Sequence, residues 1–199
     1  ADSEKYSVLV IGQVEDDASV LRGAGPVRTN LDLLRAARQA RPDAHILWKP
    51  HPDVEAGLRK GAVSPDDLNG LVDVSLDNVG ALTAIGLADE LWTITSTMGF
   101  EALIRGTAVT CTGMPFYAGW GLTNDLASAP EHRSPGPELI GLVHATLIGY
   151  PRYFDPDTGI PLSPEQAVDY LVRMKGAPVR TTKLTLLQRL MKRTVGLRP

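Results

Sequence analysis

The run Trp92-Thr93-Ile94-Thr95-Ser96-Thr97-Met98-Gly99-Phe100-Glu101-Ala102-Leu103-Ile104-Arg105-Gly106 decides the fold. It opens as a short β-rich segment, breaks at Ser96-Thr97, and continues with helical spacing until Gly106. A second apolar run, Thr107 to Cys111, follows at once, and then a loop, Pro115-Phe116-Tyr117-Ala118-Gly119-Trp120-Gly121-Leu122-Thr123, dense in glycine and aromatics. Strand, helix and strand with short joins make a βαβ unit, which implies a parallel sheet. The turn that hands Ser96, Thr97 and Gly99 to a helix N-terminus is a natural anion seat, because unpaired N–H groups and the helix dipole both favour negative charge.

The same alternation extends in both directions. Upstream, Tyr6–Gly12 reads as a buried strand, Asn30 to about Arg41 as a helix with Leu31, Leu34 and Ala37 on one face, and His45–Lys49 as a second strand. Asp66–Asn69 reads as a short helix, Leu71–Val74 as a third strand, Asp77–Ile85 as a helix stopped by Gly86, and Glu90–Thr95 as a fourth strand. Downstream, helices are expected near Pro137–Ile148 and over Pro164–Met174. The latter has a capping box of Ser163 and Gln166, with Ala167, Tyr170, Leu171 and Met174 as a core-facing stripe. The expected fold is α/β, a Rossmann-like parallel sheet with helices on both faces, over residues 1–175. Ligands of such sheets bind at the carboxyl ends of strands. There the sequence places Gln13–Ser19, Lys49–Asp53, Ser96–Glu101 and Pro115–Thr123.

Composition narrows the class. At 199 residues, with 43% hydrophobic and 22% charged residues, the chain can bury a substantial core. No apolar run reaches the roughly 20 residues that span a bilayer, and no signal-peptide pattern opens the chain. Cys111 is the sole cysteine, so an internal disulfide is impossible and a reducing, cytoplasmic compartment fits. No metal-ligand spacing is present and no metal is expected. Seven Lys/Arg and no Asp/Glu fall in residues 175–199, leaving 13 basic and 23 acidic residues upstream, a net −10 against +7. Within that basic segment (176–199), Thr181–Val195 is amphipathic. It fits either an anionic membrane surface or a helix crossing to another domain.

The chemistry-bearing residues admit more than one use. Glu15, Asp16 and Asp17 crowd three carboxylates beyond the first strand; mutual repulsion should raise at least one pKa for acid work while another stays ionised as nucleophile. They equally suit a solvated loop or a turn cap. Lys49-Pro50-His51-Pro52 presents a lysine and a histidine on a turn stiffened by two prolines, for phosphate contact or proton donation, or simply as a rigid corner. Glu101 can reach ribose hydroxyls or only favour the helix start. Phe116, Tyr117 and Trp120 suit a core plug, a lid or a sugar platform. No G-x-G-x-x-G follows the first strand and no P-loop, G-x-S-x-G or H-E-x-x-H occurs.

Taken together, Gln13-Val14-Glu15-Asp16-Asp17-Ala18-Ser19, Trp48-Lys49-Pro50-His51-Pro52-Asp53, Thr95-Ser96-Thr97-Met98-Gly99-Phe100-Glu101-Ala102-Leu103, Pro115–Thr123 and Tyr150-Pro151-Arg152-Tyr153-Phe154-Asp155-Pro156 resemble, in order, the capsule-polysaccharide β-Kdo glycosyltransferase family (KpsC-like) of Gram-negative bacteria. The resemblance implies the C-terminal, donor-binding half of a GT-B module, a CMP-Kdo donor, a lipid-linked Kdo acceptor and transfer with retention. It implies Asp17 as the catalytic carboxylate, Glu15 or Asp16 as a further acid or positioning group, and His51 on the leaving phosphate. Gln13, Ser19, Lys49, Pro52, Ser96, Thr97, Gly99, Phe100, Glu101, Tyr117 and Trp120 would surround the substrate. A cofactor is not implied, nor a nucleic-acid partner. The acceptor-binding half would lie outside this sequence. A nucleotide-sugar epimerase of similar architecture and a noncatalytic nucleotide-binding or docking module of the capsule machinery are the competing readings.

Overall fold

A computed structural model of the chain describes residues 5–175. The amphipathic stretch Thr181–Val195 lies outside the described residues. Two compact units divide between Leu142 and Val143.

The first unit holds a six-stranded, wholly parallel sheet. Its strands are β1 (Ser7–Ile11), β2 (His45–Lys49), β3 (Val74–Ser75), β4 (Glu90–Thr93), β5 (Ala108–Cys111) and β6 (Asn124–Asp125), in the order β3-β2-β1-β4-β5-β6. This is the doubly wound arrangement, whose order reverses between β1 and β4. The intervening helices are α1 (Ala18–Gly23), α2 (Asn30–Ala40), α3 (Pro52–Glu55), α4 (Pro65–Leu68), α5 (Ala81–Ile85) and α6 (Met98–Ile104). Val8, Val10, Ile46, Trp48 and Trp92 share one sheet face and pack with Val20 of α1 and with Leu33, Leu34 and Ala37 of α2. Leu9, Leu47 and Leu91 alternate to the other face and are also buried. The helices α5 and α6, with Ala84, Ile85, Phe100, Ala102 and Leu103 buried, cover that second face. Each large apolar side chain so buried contributes roughly 1.5–3 kcal/mol relative to exposure. One cost is visible: the buried Trp92 Nε1–H has no acceptor.

The four central strands lie where the apolar runs predict. Other details differ. Leu33, not Leu31, joins Leu34 and Ala37 in the core, because positions 30, 33, 34 and 37 share one helical face and Leu31 lies to its side. The third strand is Val74–Ser75 rather than Leu71–Val74, and α5 begins only at Ala81, after a turn in which Asn78 adopts φ +57°. β6 was not expected at all, since Asn124-Asp125 carries no apolar signal.

At the amino ends of the strands, buried Glu90 accepts from Arg41 Nε at 3.0 Å and from Thr110 Oγ1 at 2.6 Å, joining α2, β4 and β5. This end of the sheet is built for stability. Buried Cys111 has its thiol pushed up to about 12 by burial and by the Asp125 carboxylate. The folded state therefore holds this proton after the unfolded chain has lost it. The corresponding stability is complete below the ordinary thiol pKa and drains away as pH rises from there through about 12. At pH 8 the native thiol should react with a disulfide reagent roughly 100-fold more slowly than in the unfolded chain. Equal rates in the two states would contradict the burial.

The chain leaves the first unit within α7 (Leu139–His144), which continues as a π-helical turn, Ala145–Gly149. The second unit contains the antiparallel pair β7 (Tyr153–Phe154) and β8 (Pro161–Leu162), and α8 (Pro164–Met174), which packs on both strands. The Ser163–Gln166 capping box forms as expected. The core-facing stripe does not: no residue of α8 is buried, and Leu171 is 66% exposed.

Candidate functional site

Three strand ends converge on one cleft of about 400 Å³ at the reversal between β1 and β4. The β1 end contributes Gln13, Val14, Asp17 and Ser19; the β2 end contributes His51, Asp53 and Arg59; the β4 end contributes Thr95, Ser96 and Thr97.

Asp17 is the N-cap of α1. Its carboxylate accepts from the Ser19 hydroxyl at 2.6 Å and from Ser19 N–H at 3.1 Å. Those bonds, with the Ser19 hydroxyl foremost, hold its pKa below the usual aspartate value. Of the crowded trio Asp17 is the one held ionised, and the three carboxylates are dealt to different partners. Glu15 Oε1 accepts from Asn30 N–H at 2.8 Å, at the start of α2, and Asp16 pairs with Arg59 at 2.9 Å.

His51 caps α3, with Pro52 in the first helical turn. Its Nδ1 accepts from Asp53 N–H at 3.1 Å, so in the neutral ring the proton resides on Nε2, which remains as the donor. Lys49, at the end of β2, is only 6% exposed, and no carboxylate among the described residues pairs with its ammonium.

Gln13 serves the sheet. It is buried, its Oε1 accepting from Thr95 N–H at 2.8 Å, Ile94 N–H at 3.2 Å and Thr93 Oγ1 at 3.1 Å, while Nε2 donates to Thr95 Oγ1 at 3.0 Å. The amide thus joins the ends of β1 and β4 under the cleft, and its backbone is clasped by the Asn30 side chain, which also donates to Gly61 O. Ser96 Oγ accepts from Met98 N–H at the start of α6.

The aromatic loop is divided. Tyr117 is wholly buried and donates to Ser96 O, so it is a plug under the turn rather than a surface for sugar. Gly99 exists for this contact: a Cβ there would stand 2.2 Å from the Tyr117 hydroxyl oxygen. Phe100 is buried against Phe116 and Tyr117. Phe116 keeps 39% of its surface exposed, and Trp120 is half-buried with Arg133 5.7 Å above its ring. Glu101 is half-buried on α6, outside the cleft lining. Sequence reasoning missed Arg59 as a lining residue, and gave no role to Asp53 at the end of the Lys49–Asp53 segment. The adjacent Arg59-Lys60 pair soon after His51-Pro52 was the available signal. Among the described residues no group of three or more His, Cys, Asp or Glu is placed to hold a metal, and no helix is long and apolar enough to cross a membrane.

The fold and cleft define a doubly wound α/β domain with its candidate ligand site at the topological switch point. Residues 1–153 match the family described as capsule polysaccharide biosynthesis protein, and the chain belongs to that family. It is 49% identical over 173 residues, 87% of its length, to the capsule polysaccharide modification protein LipA of Neisseria meningitidis serogroup A, and 40% identical over 177 residues, 88% of its length, to the lipopolysaccharide-processing protein LpsZ of Rhizobium meliloti. Among solved structures it resembles two chains of Thermosulfurimonas dismutans KpsC. The β-Kdo 2,7 transferase matches 88% of this chain at TM-score 0.78 and 40% identity; the β-Kdo 2,4 transferase matches 86% at 0.73 and 34%. The chain spans 24% of LipA, 40% of LpsZ, and 55% and 53% of the two KpsC chains. The family read from the motifs is the family found.

Proposed function

We propose that this chain is the donor-binding half of a retaining β-Kdo transferase of GT-B type, which moves Kdo from CMP-Kdo to a lipid-linked Kdo acceptor. The observation that carries the reading is the meeting of Asp17, His51, Ser96 and Thr97, from three strand ends, around one cleft. The similarity to two KpsC chains named as β-Kdo transferases supports the sugar.

In this reading the Asp17 carboxylate attacks the anomeric carbon of Kdo as the bond to the CMP phosphate oxygen breaks, and CMP leaves with that electron pair. An acceptor hydroxyl then displaces Asp17, which leaves as the carboxylate while the hydroxyl proton passes to water, and two inversions give retention. The nucleophile must be ionised at neutral pH, as its lowered pKa provides. His51 Nε2–H, Arg59 and the Thr97 N–H, the one amide of the Ser96–Phe100 turn not already bonded within it, bear the departing phosphate's charge. Arg59 also draws Asp16 to the cleft wall, which gives Asp16 a positioning role. The acceptor sits mainly on a second half outside this sequence, and the basic segment 176–199 meets either that half or the cytoplasmic membrane surface.

Calorimetric titration of the chain with CMP and UDP tests the reading. CMP should bind, and more tightly than UDP. Preference for UDP would favour the epimerase, and absence of nucleotide binding would remove the donor-binding assignment.

A further inference from the structure

Beside the Asp17 cleft lies a second groove of about 350 Å³. Ser19, Thr95 and Thr97 wall both, so the two are neighbours along one ridge, while Arg22, Met114 and Phe116 face the second alone. We infer that this second groove holds an anionic sugar, its carboxylate on the Arg22 guanidinium and its ring on the exposed face of Phe116. The inference rests on the transferase reading only for the identity of the sugar.

Arg22 is a cation without a partner in the fold. Arg38, Arg41 and Arg59 are spent on Asp73, Glu90 and Asp16, whereas Arg22 has no carboxylate or carbonyl among the described residues. A guanidinium at the rim of a mainly apolar groove selects a ligand with an apolar body and a planar anion, which it can grip bidentately.

Phe116 is a prepared surface. Although 39% exposed, its ring is held edge-on by Phe100, with centroids 5.0 Å apart, and by Tyr117, at 5.1 Å. Behind it, Arg133 donates to Pro115 O and Ala118 O at 2.6 and 3.0 Å, and Trp120 Nε1 donates to Phe116 O at 2.8 Å. An aromatic side chain left uncovered yet fixed from below loses little freedom when a sugar's C–H face lies on it.

The two walls are also tied together. Met114 N–H donates to Gly23 O at 2.7 Å, immediately after Arg22, and Ala24 bridges to Gly113. The approach is so close that a Cβ on Gly113 would lie 2.6 Å from Gly23 O and 2.8 Å from Ile94 O. The spacing between guanidinium helix and aromatic loop is therefore set by backbone. An acidic sugar here would lie across Ser19 from Asp17, since Ser19 walls both grooves. It is supplied either by the donor or by the acceptor's terminal residue.

The test titrates the complete protein with the methyl glycoside of Kdo, with the methyl ester of that glycoside, and with CMP. Wild type should bind the glycoside at least about 10-fold more tightly than the ester, and Arg22→Leu should lose a similar factor while Arg22→Lys loses less. Phe116→Ala should weaken both sugars, and CMP affinity should stay within about twofold throughout. A donor analogue that cannot react displaces the glycoside if the groove holds the donor sugar, and leaves it in place if the groove holds the acceptor. Equal binding of glycoside and ester, or unchanged glycoside binding in Arg22→Leu, overturns the inference while CMP binding still supports the transferase. Arg22-dependent glycoside binding without CMP binding upholds the groove and sinks the nucleotide donor.

Discussion

Asp17→Asn in the complete protein should reduce transfer by about 10³-fold or more while CMP binds as before. The substitution is chosen on the geometry of α1. Asparagine is as good an N-cap as aspartate, and its side-chain oxygen can still accept from Ser19 N–H, so the helix start survives. What disappears is the charge that, in the proposed mechanism, attacks the anomeric carbon. Alanine would confuse the matter by also removing the cap, at about 1 kcal/mol. Steady-state transfer measured beside CMP titration separates the outcomes. Undiminished turnover in the asparagine variant removes Asp17 from the reaction, and lost CMP binding would make it a binding group instead. Acid should act in the same direction: Asp17, with its lowered pKa, stays ionised and capped well below neutrality, and both nucleophile and cap fail only as pH falls through that value.

Gln13→Leu should lower stability by roughly 3–5 kcal/mol, a melting-temperature fall on the order of 10 °C. Leucine fills nearly the same volume, so the loss arises from hydrogen bonding. Thr95 N–H, Ile94 N–H and the Thr93 hydroxyl all point at one buried oxygen, and without it they are left unpaired at the join of β1 and β4. Differential scanning fluorimetry reads the shift directly. A change under about 2 °C would mean that water takes over the site, and that Gln13 is free to serve the ligand instead.

These two residues illustrate what a sequence reveals. The apolar runs Val8–Ile11, Ile46–Trp48, Leu91–Thr93 and Val109–Cys111 are legible as strands because a parallel strand covered on both faces is apolar throughout. The switch-point location of Asp17, His51 and Ser96 follows from that alternation alone. The roles of polar residues do not follow. Gln13, Gly99 and Tyr117 read as substrate contacts because they lie in the segments that meet at the carboxyl ends of the strands, yet Gln13, although at the cleft wall, spends its amide on the sheet and Gly99 makes room for a buried phenol. Residue type and neighbourhood are the same for a ligand-facing amide and a strand-joining one; only direction differs, and direction is tertiary. Arg59 is hidden for the converse reason, arriving from an irregular segment whose path is set by Asn30 and Gly61. The α8 stripe has helical period without burial, since periodicity reports an amphipathic face and not what covers it.

The sheet's two outermost strands, Val74–Ser75 and Asn124–Asp125, are only two residues long, and the second ends in a carboxylate. A flank so brief offers an incoming peptide almost no ladder to extend, and Asp125 is already engaged by Gly119 N–H and Thr123 Oγ1. The core of this domain is thus shielded laterally against self-association by strand addition. Any protein that docks here must do so through side chains and loops rather than by lengthening the sheet.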